Sequence, residues 1–207
     1  MVAAAEKRSH LWERDDLDWY VEPPAATEAL LTAESFTGAT LDPCCGGGNI
    51  VTTMIAAGYD ADGSDIVDRA GGAAWFIGER DFTRWAPINP LHDNIVMNPP
   101  FFRAKGAEVF IRKALSLVRG KVCAFVDIRF IAGAERANGL FADHPPARIW
   151  IVTPRVSCPP GRYLAAGNKA GNGSSDWCWL VWDLTAPRAD TRFGWLRRPA
   201  STKEGGA

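Results

Sequence analysis

Four consecutive residues, Asn98-Pro99-Pro100-Phe101, combine side chains and backbone groups that suit the binding of a planar amine. They follow the short apolar run 93–97, which is typical of the end of a buried strand. The Asn98 side chain offers an amide oxygen, and Pro99 contributes a carbonyl without a competing N–H. Both oxygens can accept from one NH2 group, which concentrates lone-pair density on its nitrogen, and Phe101 can stack on a flat ring. We therefore expect a catalytic loop, made of all four residues, for a substrate with an exocyclic amino group.

A glycine-rich turn precedes this loop in the chain, in the run Asp42-Pro43-Cys44-Cys45-Gly46-Gly47-Gly48-Asn49. Glycines let a backbone turn tightly and approach a ligand, and the predicted helix that follows offers free N–H groups at its start. Asp65 comes at the end of the next predicted strand, where open parallel sheets commonly place an acid that binds ribose hydroxyls. Asp81-Phe82 follows, and an acid beside an aromatic ring can bind adenine. The order of turn and acids predicts a site for a nucleoside-containing ligand.

These residues resemble the S-adenosylmethionine site of the Rossmann-like methyltransferases, and the tetrad resembles the signature of the amino-methyltransferases. The resemblance implies that the turn at Gly46–Gly48 lies against the methionine part, and that Asp42 helps to hold its ammonium group. It also implies that Asp65 binds the ribose diol and that Asp81-Phe82 binds the adenine. The expected cofactor is S-adenosylmethionine, rather than a nicotinamide dinucleotide.

The segment Trp19–Pro24 resembles an N-terminal motif of the same enzymes, which lies next to the cofactor. Glu22 stands where that motif usually has threonine. The expected cofactor-binding residues are Tyr20, Pro23, Asp42, Pro43, Cys44, Gly46, Gly48, Asp65, Ile66, Asp81, Phe82 and Asn98.

The second half of the chain is similar to the small phage-type DNA adenine-N6 methyltransferases, and the resemblance covers about residues 19–184. It rests on Arg155 and Ser157, the glycine-rich loop at Gly161 and the aromatic strand Asp176–Trp182. The resemblance implies double-stranded DNA as the partner and a target adenine that is flipped out of the duplex. Phosphate and base contacts are expected from residues that flank the tetrad or lie in the later loop. They are Phe102, Arg103, Lys105, Arg155, Arg162 and Lys169.

Charge is distributed unevenly along the sequence. Residues 1–96 contain six Lys or Arg and sixteen Asp or Glu, whereas residues 97–207 contain seventeen and eight. This split favours a cofactor-binding half and a phosphate-facing half, although chance and solvated faces also produce such a pattern.

Apolar periodicity predicts an α/β fold, because strands alternate with helices along the chain. Strands are expected at 40–42, 62–66, 93–97, 121–128, 148–152 and 176–183. Helices are expected at 25–36, 49–57, 70–78, 106–119 and 132–142, with a long loop at 157–175. With the resemblance, this predicts a Rossmann-like, mainly parallel seven-stranded sheet with one antiparallel strand and helices on both faces. The last two strands are joined without a helix, so we expect them to be antiparallel neighbours.

Length and composition indicate one globular domain. The chain has 207 residues, of which 47% are hydrophobic and 23% charged. We expect an N-terminal arm at 1–18, a methyltransferase domain at 19–185 without a separate target-recognition domain, and a basic, flexible tail at 186–207. No apolar run reaches 18 residues, and no signal peptide is evident. The five cysteines include no Cys-x-x-Cys pair, so neither a metal site nor a disulfide framework is expected. A cytoplasmic location follows, in a bacterial host if the gene belongs to a phage.

Two alternatives to DNA adenine methylation stay open at this point. The same tetrad could serve an N-methyltransferase that acts on rRNA or on a protein glutamine. The chain could also be a non-catalytic nucleic-acid-binding protein that has kept the fold, although the intact tetrad and glycine turn argue against this.

Overall fold

The computed structural model describes residues 17–85, 92–102, 105–171, 173, 175–187 and 190–198. Arg103, nearly all of the predicted N-terminal arm and the end of the predicted tail lie outside these residues. The described residues form one eight-stranded sheet, flanked by helices. Its strands are β1 (Thr40–Asp42), β2 (Ala61–Asp65), β3 (Phe76–Glu79), β4 (Asn94–Met97), β5 (Lys121–Asp127), β6 (Arg148–Thr153), β7 (Trp177–Asp183) and β8 (Arg192–Arg197).

The strands lie in the order β3-β2-β1-β4-β5-β7-β6-β8. β7 runs antiparallel to both of its neighbours, β5 and β6, and the other pairs are parallel. The predicted α/β class, the one antiparallel strand and the antiparallel pairing of β6 with β7 are confirmed. The sheet has eight strands rather than seven.

Two strands occupy segments for which the sequence predicts something else. β3 lies in the segment 70–78, which was expected to be helical, because Gly71 and Gly72 adopt φ of 63° and 81° and end any helix there. β8 lies in the segment expected to be a flexible tail. It pairs in parallel with β6 along six residues and buries Leu196, while Phe193 and Trp195 point to the exposed face. Because the outward-facing residues of β8 are aromatic and arginines flank it, the usual alternation of apolar and polar residues is not visible in the sequence.

The helices are mostly short. Those of eight residues or more are α1 (Pro24–Leu31), α2 (Asn49–Ala56) and α3 (Lys105–Leu117). The helix expected at 132–142 is broken by glycines into a 3-10 turn (Ile128–Ala132), α4 (Ala134–Asn138) and α5 (Leu140–Asp143). The loop expected at 157–175 contains a short helix, α6 (Gly161–Ala165).

Apolar side chains cover both faces of the central strands. On β5, Cys123 and Phe125 belong to one buried cluster, and Val122, Ala124 and Val126 belong to the other. Strands buried on both sides need helices on both faces, as expected for a parallel sheet. No helix among the described residues is long and apolar enough to span a membrane. The carboxyl ends of β1, β2 and β4 meet at one edge of the sheet, where open parallel sheets bind ligands.

Candidate functional site

A cavity of about 270 Å³ opens at this edge of the sheet. Ten residues predicted for the site from the sequence line it. They are Tyr20, Pro43, Cys44, Asp65, Ile66, Asp81, Phe82, Asn98, Pro100 and Phe102. Pro43 and Cys44 of the turn, Asp65 at the end of β2, the Asp81-Phe82 pair and the tetrad loop therefore share one cavity. Gly46, Gly48 and Pro99 do not line it. Its volume lies near the lower end of the range for small-molecule sites.

The Asn98 amide is held in a defined orientation. Its Nδ2 donates to the carbonyl oxygen of Tyr20 at 2.9 Å and to Glu22 Oε2 at 2.8 Å. A backbone carbonyl can only accept, so the nitrogen must face this N-terminal segment. No donor among the described residues occupies Asn98 Oδ1, which remains able to accept from a ligand.

The two aromatic residues of the tetrad loop take different positions. Phe101 is half-buried, with its ring edge-on to Phe130 and Trp177, and is not among the residues that line the cavity. Phe102 lines the cavity and is 45% exposed. It has φ of 36°, and its N–H donates to Asp18 Oδ2 at 2.6 Å. Such strained backbone tends to occur at functional sites. Stacking on a substrate ring in the cavity is therefore available to Phe102 rather than to Phe101.

The glycine turn is packed against tryptophans of the protein. A Cβ on Gly46 would lie 2.7 Å from Trp19 Nε1, and a Cβ on Gly48 would lie 2.2 Å from the Trp75 ring. Both glycines also adopt positive φ. Their small size lets the indoles approach the turn, and Trp19 itself lines the cavity. The sequence predicted glycines for ligand approach, but it did not identify these partners.

Burial raises the pKa of two acidic groups at the start of the glycine turn, Asp42 and Cys44. Burial, and then the nearby Glu22, raise the pKa of Asp42 well above its usual range, and the carboxyl accepts the backbone N–H of Cys44. Asp42 does not line the cavity. The expected role of Asp42 in holding an ammonium group stays a prediction, and burial favours the uncharged form of its carboxyl. Burial also raises the pKa of the Cys44 thiol, whose Sγ donates to the carbonyl of Asn98.

Asp65, at the end of β2, organises the turn and retains acceptor capacity. Its Oδ2 accepts the Gly46 N–H at 2.8 Å. Its Oδ1 accepts the Val67 N–H and the Arg69 guanidinium. An ionised carboxylate has about four lone-pair sites, so one position on Oδ2 remains for a ligand hydroxyl. Arg69 also stacks over the Trp19 ring at 4.4 Å and lines the cavity.

The predicted adenine-binding pair lies at the far side of the cavity. Phe82 is almost fully buried, and its ring contacts Phe110 of α3. A hydrogen bond from the Thr83 hydroxyl lowers the pKa of Asp81 and occupies Oδ1. Asp81 Oδ2 forms only a loose pair with Arg84 at 3.5 Å, so it can accept from a ligand amine.

The segment before α1 forms part of the cavity wall. Tyr20 forms a β-bridge with Pro160, and the Gly161 N–H donates to the carbonyl of Trp19. Pro23 caps α1 and does not line the cavity, and its contact with a cofactor stays a prediction. Asp18, Trp19, Arg69 and Arg80 line the site but were not predicted. Only Trp19 carried a signal, through its place in the N-terminal motif.

The side chains predicted to contact nucleic acid lie in different surroundings. Lys105, Arg162 and Lys169 are exposed. Arg155 forms an ion pair with Asp176 at 2.6 Å, and both side chains are about half exposed. These two residues line a separate groove together with Trp195, which is 68% exposed, and Arg198. The sequence did not identify Trp195 or Arg198, because they belong to the predicted tail.

Among the described residues, no group of three or more His, Cys, Asp or Glu side chains is placed to hold a metal ion. All five cysteine thiols are free.

No protein-family model matches the sequence, and no curated protein matches it. Solved structures are similar in three dimensions. A proposed RNA methyltransferase from Pyrococcus horikoshii superposes with a TM-score of 0.59 at 15% identity, over 81% of this chain and 87% of that one. The modification subunit of a proposed type I restriction enzyme from Vibrio vulnificus superposes with a TM-score of 0.53 at 12% identity. This match covers 89% of this chain and 48% of that subunit. The chain therefore has the Rossmann-like methyltransferase fold.

Proposed function

We propose that this chain is an S-adenosylmethionine-dependent methyltransferase that methylates the exocyclic N6 amine of adenine in DNA. The observation that carries the proposal is the fixed Asn98 amide, whose oxygen is available at a cavity shared with Asp65 and Phe82. An amide oxygen held in this way suits an NH2 group better than a hydroxyl or a carbon acid.

The residues of the cavity fit S-adenosylmethionine. Asp65 has one free acceptor position for a ribose hydroxyl, and Asp81 Oδ2 can accept from the adenine amine. Phe82 supplies an apolar wall for the base. When bound, the cofactor supplies a sulfonium methyl group, which is transferred as the C–S bond breaks and the N–C bond forms, and the product amine then releases a proton to solvent.

The chain's own contribution is to bind and align the acceptor. Asn98 Oδ1 and the Pro99 carbonyl each accept one N–H of the target amine, which points the nitrogen lone pair toward the methyl donor. Phe102 lies against the ring of the acceptor. Positioning of this kind lowers the barrier by several kcal/mol in favourable cases, about 7–11 kcal/mol at most. No acid–base pair is needed before transfer, which agrees with the neutral state of Cys44.

DNA is preferred as the acceptor because the exposed cations Lys105, Arg162 and Lys169 lie in the half of the chain that follows the tetrad. A base must leave the duplex to enter a cavity of this size, and phosphate contacts would hold the strand beside it. One of the two similar solved structures described above is named for restriction modification, which supports DNA. The other is named for RNA methylation, and RNA is therefore the second candidate.

The acceptor can be tested directly. The protein is incubated with methyl-labelled S-adenosylmethionine and, separately, duplex DNA, ribosomal RNA and glutamine-containing protein, and the modified group is identified by mass spectrometry. We expect N6-methyladenine in DNA. Label in RNA or protein alone would exclude the proposed acceptor.

Asn98→Ala is expected to keep S-adenosylmethionine binding in calorimetry, with an affinity within a few fold of the parent, while losing methyl transfer by about 10²-fold or more. The reason is that the variant removes the acceptor for the target amine but no predicted contact with the ribose or adenine of the cofactor. Full activity of this variant would refute the proposed role of the tetrad.

A further inference from the structure

Glu22 is a buried carboxyl group that contacts the proposed catalytic amide. Its side chain is 6% exposed, and its Oε2 accepts from Asn98 Nδ2 at 2.8 Å. The second N–H of the same nitrogen goes to the Tyr20 carbonyl at 2.9 Å. Both donors of the Asn98 amide are thus used by the segment that precedes α1. Glu22 is not among the residues that line the cavity, so it acts on a ligand only through Asn98.

This arrangement decides which end of the amide a substrate meets. If the amide were rotated by 180°, Oδ1 would face the Tyr20 carbonyl and the Glu22 carboxylate, and two pairs of acceptors would oppose each other. The substrate would then meet an NH2 group in place of an oxygen. We propose that Glu22 is a positioning residue, which holds the Asn98 amide with its oxygen toward the acceptor amine. This inference rests on the proposed function.

The charge of Glu22 matters to this role. An ionised carboxylate can only accept, and it therefore favours the productive orientation. A protonated carboxyl can also donate, and it can do so to Oδ1 if the amide turns over. The Tyr20 carbonyl opposes this rotation, so protonation makes the two orientations compete instead of selecting one.

The surroundings of Glu22 place its titration near neutral pH. Burial raises the pKa of Glu22 to about 7, against the hydrogen bonds from its own backbone and from Asn98. The ionisable groups that interact with it are Asp42 and Cys44 below the turn and Cys158 before α6. Burial raises the pKa of each of these three groups well above its usual range, which favours the uncharged form of each. We therefore expect the rate of methyl transfer to rise as the pH increases through about 7.

The test compares single-turnover methyl transfer from pH 5.5 to 8.5 in the parent protein, Glu22→Gln and Glu22→Ala. The Glu22→Gln variant carries a side-chain amide that can accept from Asn98 Nδ2 or donate to Oδ1 at every pH, as the protonated carboxyl can. We therefore expect this variant to keep the low-pH rate of the parent at every pH and to lose the rise near pH 7. Glu22→Ala removes the acceptor, and its rate should fall by about 10²-fold with little change in cofactor affinity. Glu28→Gln is the matched control, because Glu28 is exposed on α1, and its profile should equal that of the parent.

A second readout does not depend on activity. The side-chain NH2 resonances of Asn98, identified by their absence in Asn98→Ala, should shift with pH in the parent protein with a midpoint near 7. They should not titrate in Glu22→Gln. An unchanged midpoint in Glu22→Gln, or a full rate in Glu22→Ala, would overturn the inference. If either of these results is found while Asn98→Ala is inactive, the role of Glu22 is wrong and the proposed function is unaffected. If Asn98→Ala is active, the proposed function itself is wrong.

Discussion

Asp65 binds protein groups and is also proposed to bind a ligand hydroxyl. It fixes the glycine turn through Gly46 and the cavity wall through Arg69, and it keeps one acceptor position open. Hydrogen bonds to a charged group contribute roughly 1.5–3 kcal/mol. A ligand that reaches this oxygen therefore gains a substantial part of its affinity from one residue.

Asp65→Ala is accordingly expected to weaken S-adenosylmethionine binding by roughly tenfold to a hundredfold, measured by calorimetry. Asp68→Ala provides a matched control, because Asp68 is exposed three residues later and does not line the cavity. Equal affinity for the parent protein and Asp65→Ala would show that the ribose assignment is wrong.

Glu22 also has a consequence for stability. Its pKa is about 7 in the folded protein and near 4.5 when unfolded, so between these values the folded state binds more protons. The free energy of unfolding therefore falls as the pH rises through this window, by roughly 3 kcal/mol from this group. Urea denaturation at pH 4.5 and at pH 8 measures the difference in free energy of unfolding between Glu22→Gln and the parent. From the lower to the higher pH, this difference should change in favour of the variant by about this amount. A constant difference between the two proteins would contradict the raised pKa.

At the end of the sheet away from the cavity, a buried ion cluster joins β5, β6 and the segment after α1. Glu34, which follows α1 and is 4% exposed, accepts from Lys121 of β5 at 2.7 Å and from both Arg148 and Trp150 of β6. Burial opposes ionisation of Glu34, but the hydrogen bonds from Arg148, Lys121 and Trp150 outweigh it and lower the pKa. The cluster fixes the helix α1, and with it the segment that carries Tyr20 and Glu22.

Removing Glu34 should leave Lys121 and Arg148 with Asp183 as their remaining acidic partner in the cluster. Glu34→Ala is expected to reduce the free energy of unfolding by about 3–5 kcal/mol in urea denaturation. Glu28→Ala, on the exposed face of α1, should change it by no more than about 0.5 kcal/mol. Similar small losses in both variants would mean that the cluster adds nothing to stability.

For the whole molecule, the position of the cations relative to the cavity determines how nucleic acid could bind. Arg162 and Lys169 follow the segment that pairs with Tyr20 above the cavity. Arg155 is already paired with Asp176. An exposed pair of this kind contributes little to stability, so a phosphate group could replace the carboxylate.

Replacing both Arg162 and Lys169 by Ala should weaken DNA binding and reduce the slope of log affinity against log salt concentration by about 1.8. Arg119→Ala is the control, because Arg119 is exposed between α3 and β5, at the edge of the sheet away from the cavity. Fluorescence anisotropy at several salt concentrations measures both slopes. An unchanged slope in the double variant would mean that DNA contacts another surface of the protein.

Features that depend on short-range chemistry could be predicted from the amino-acid sequence alone. Prolines stop a strand at Asn98, and glycines with positive φ form the turn after β1, so both loops could be located without a structure. The carboxyl ends of parallel strands share one edge, and Asp65 and Asn98 were therefore expected to meet. The α/β class followed from the alternation of strands and helices, and the antiparallel pairing of the last two predicted strands followed from the missing helix between them.

Contacts between groups that lie far apart in the chain became evident from the three-dimensional fold. Glu22 and Asn98 are 76 positions apart, and no local pattern indicates their hydrogen bond. The order of the strands and the packing of α3 determined that Phe102 lines the cavity while Phe101 packs against Trp177. The last strand forms because β6 offers a free edge and Leu196 a buried position, which no property of the tail alone reveals. Contacts of this kind depend on the whole fold, because each partner is positioned by a different element.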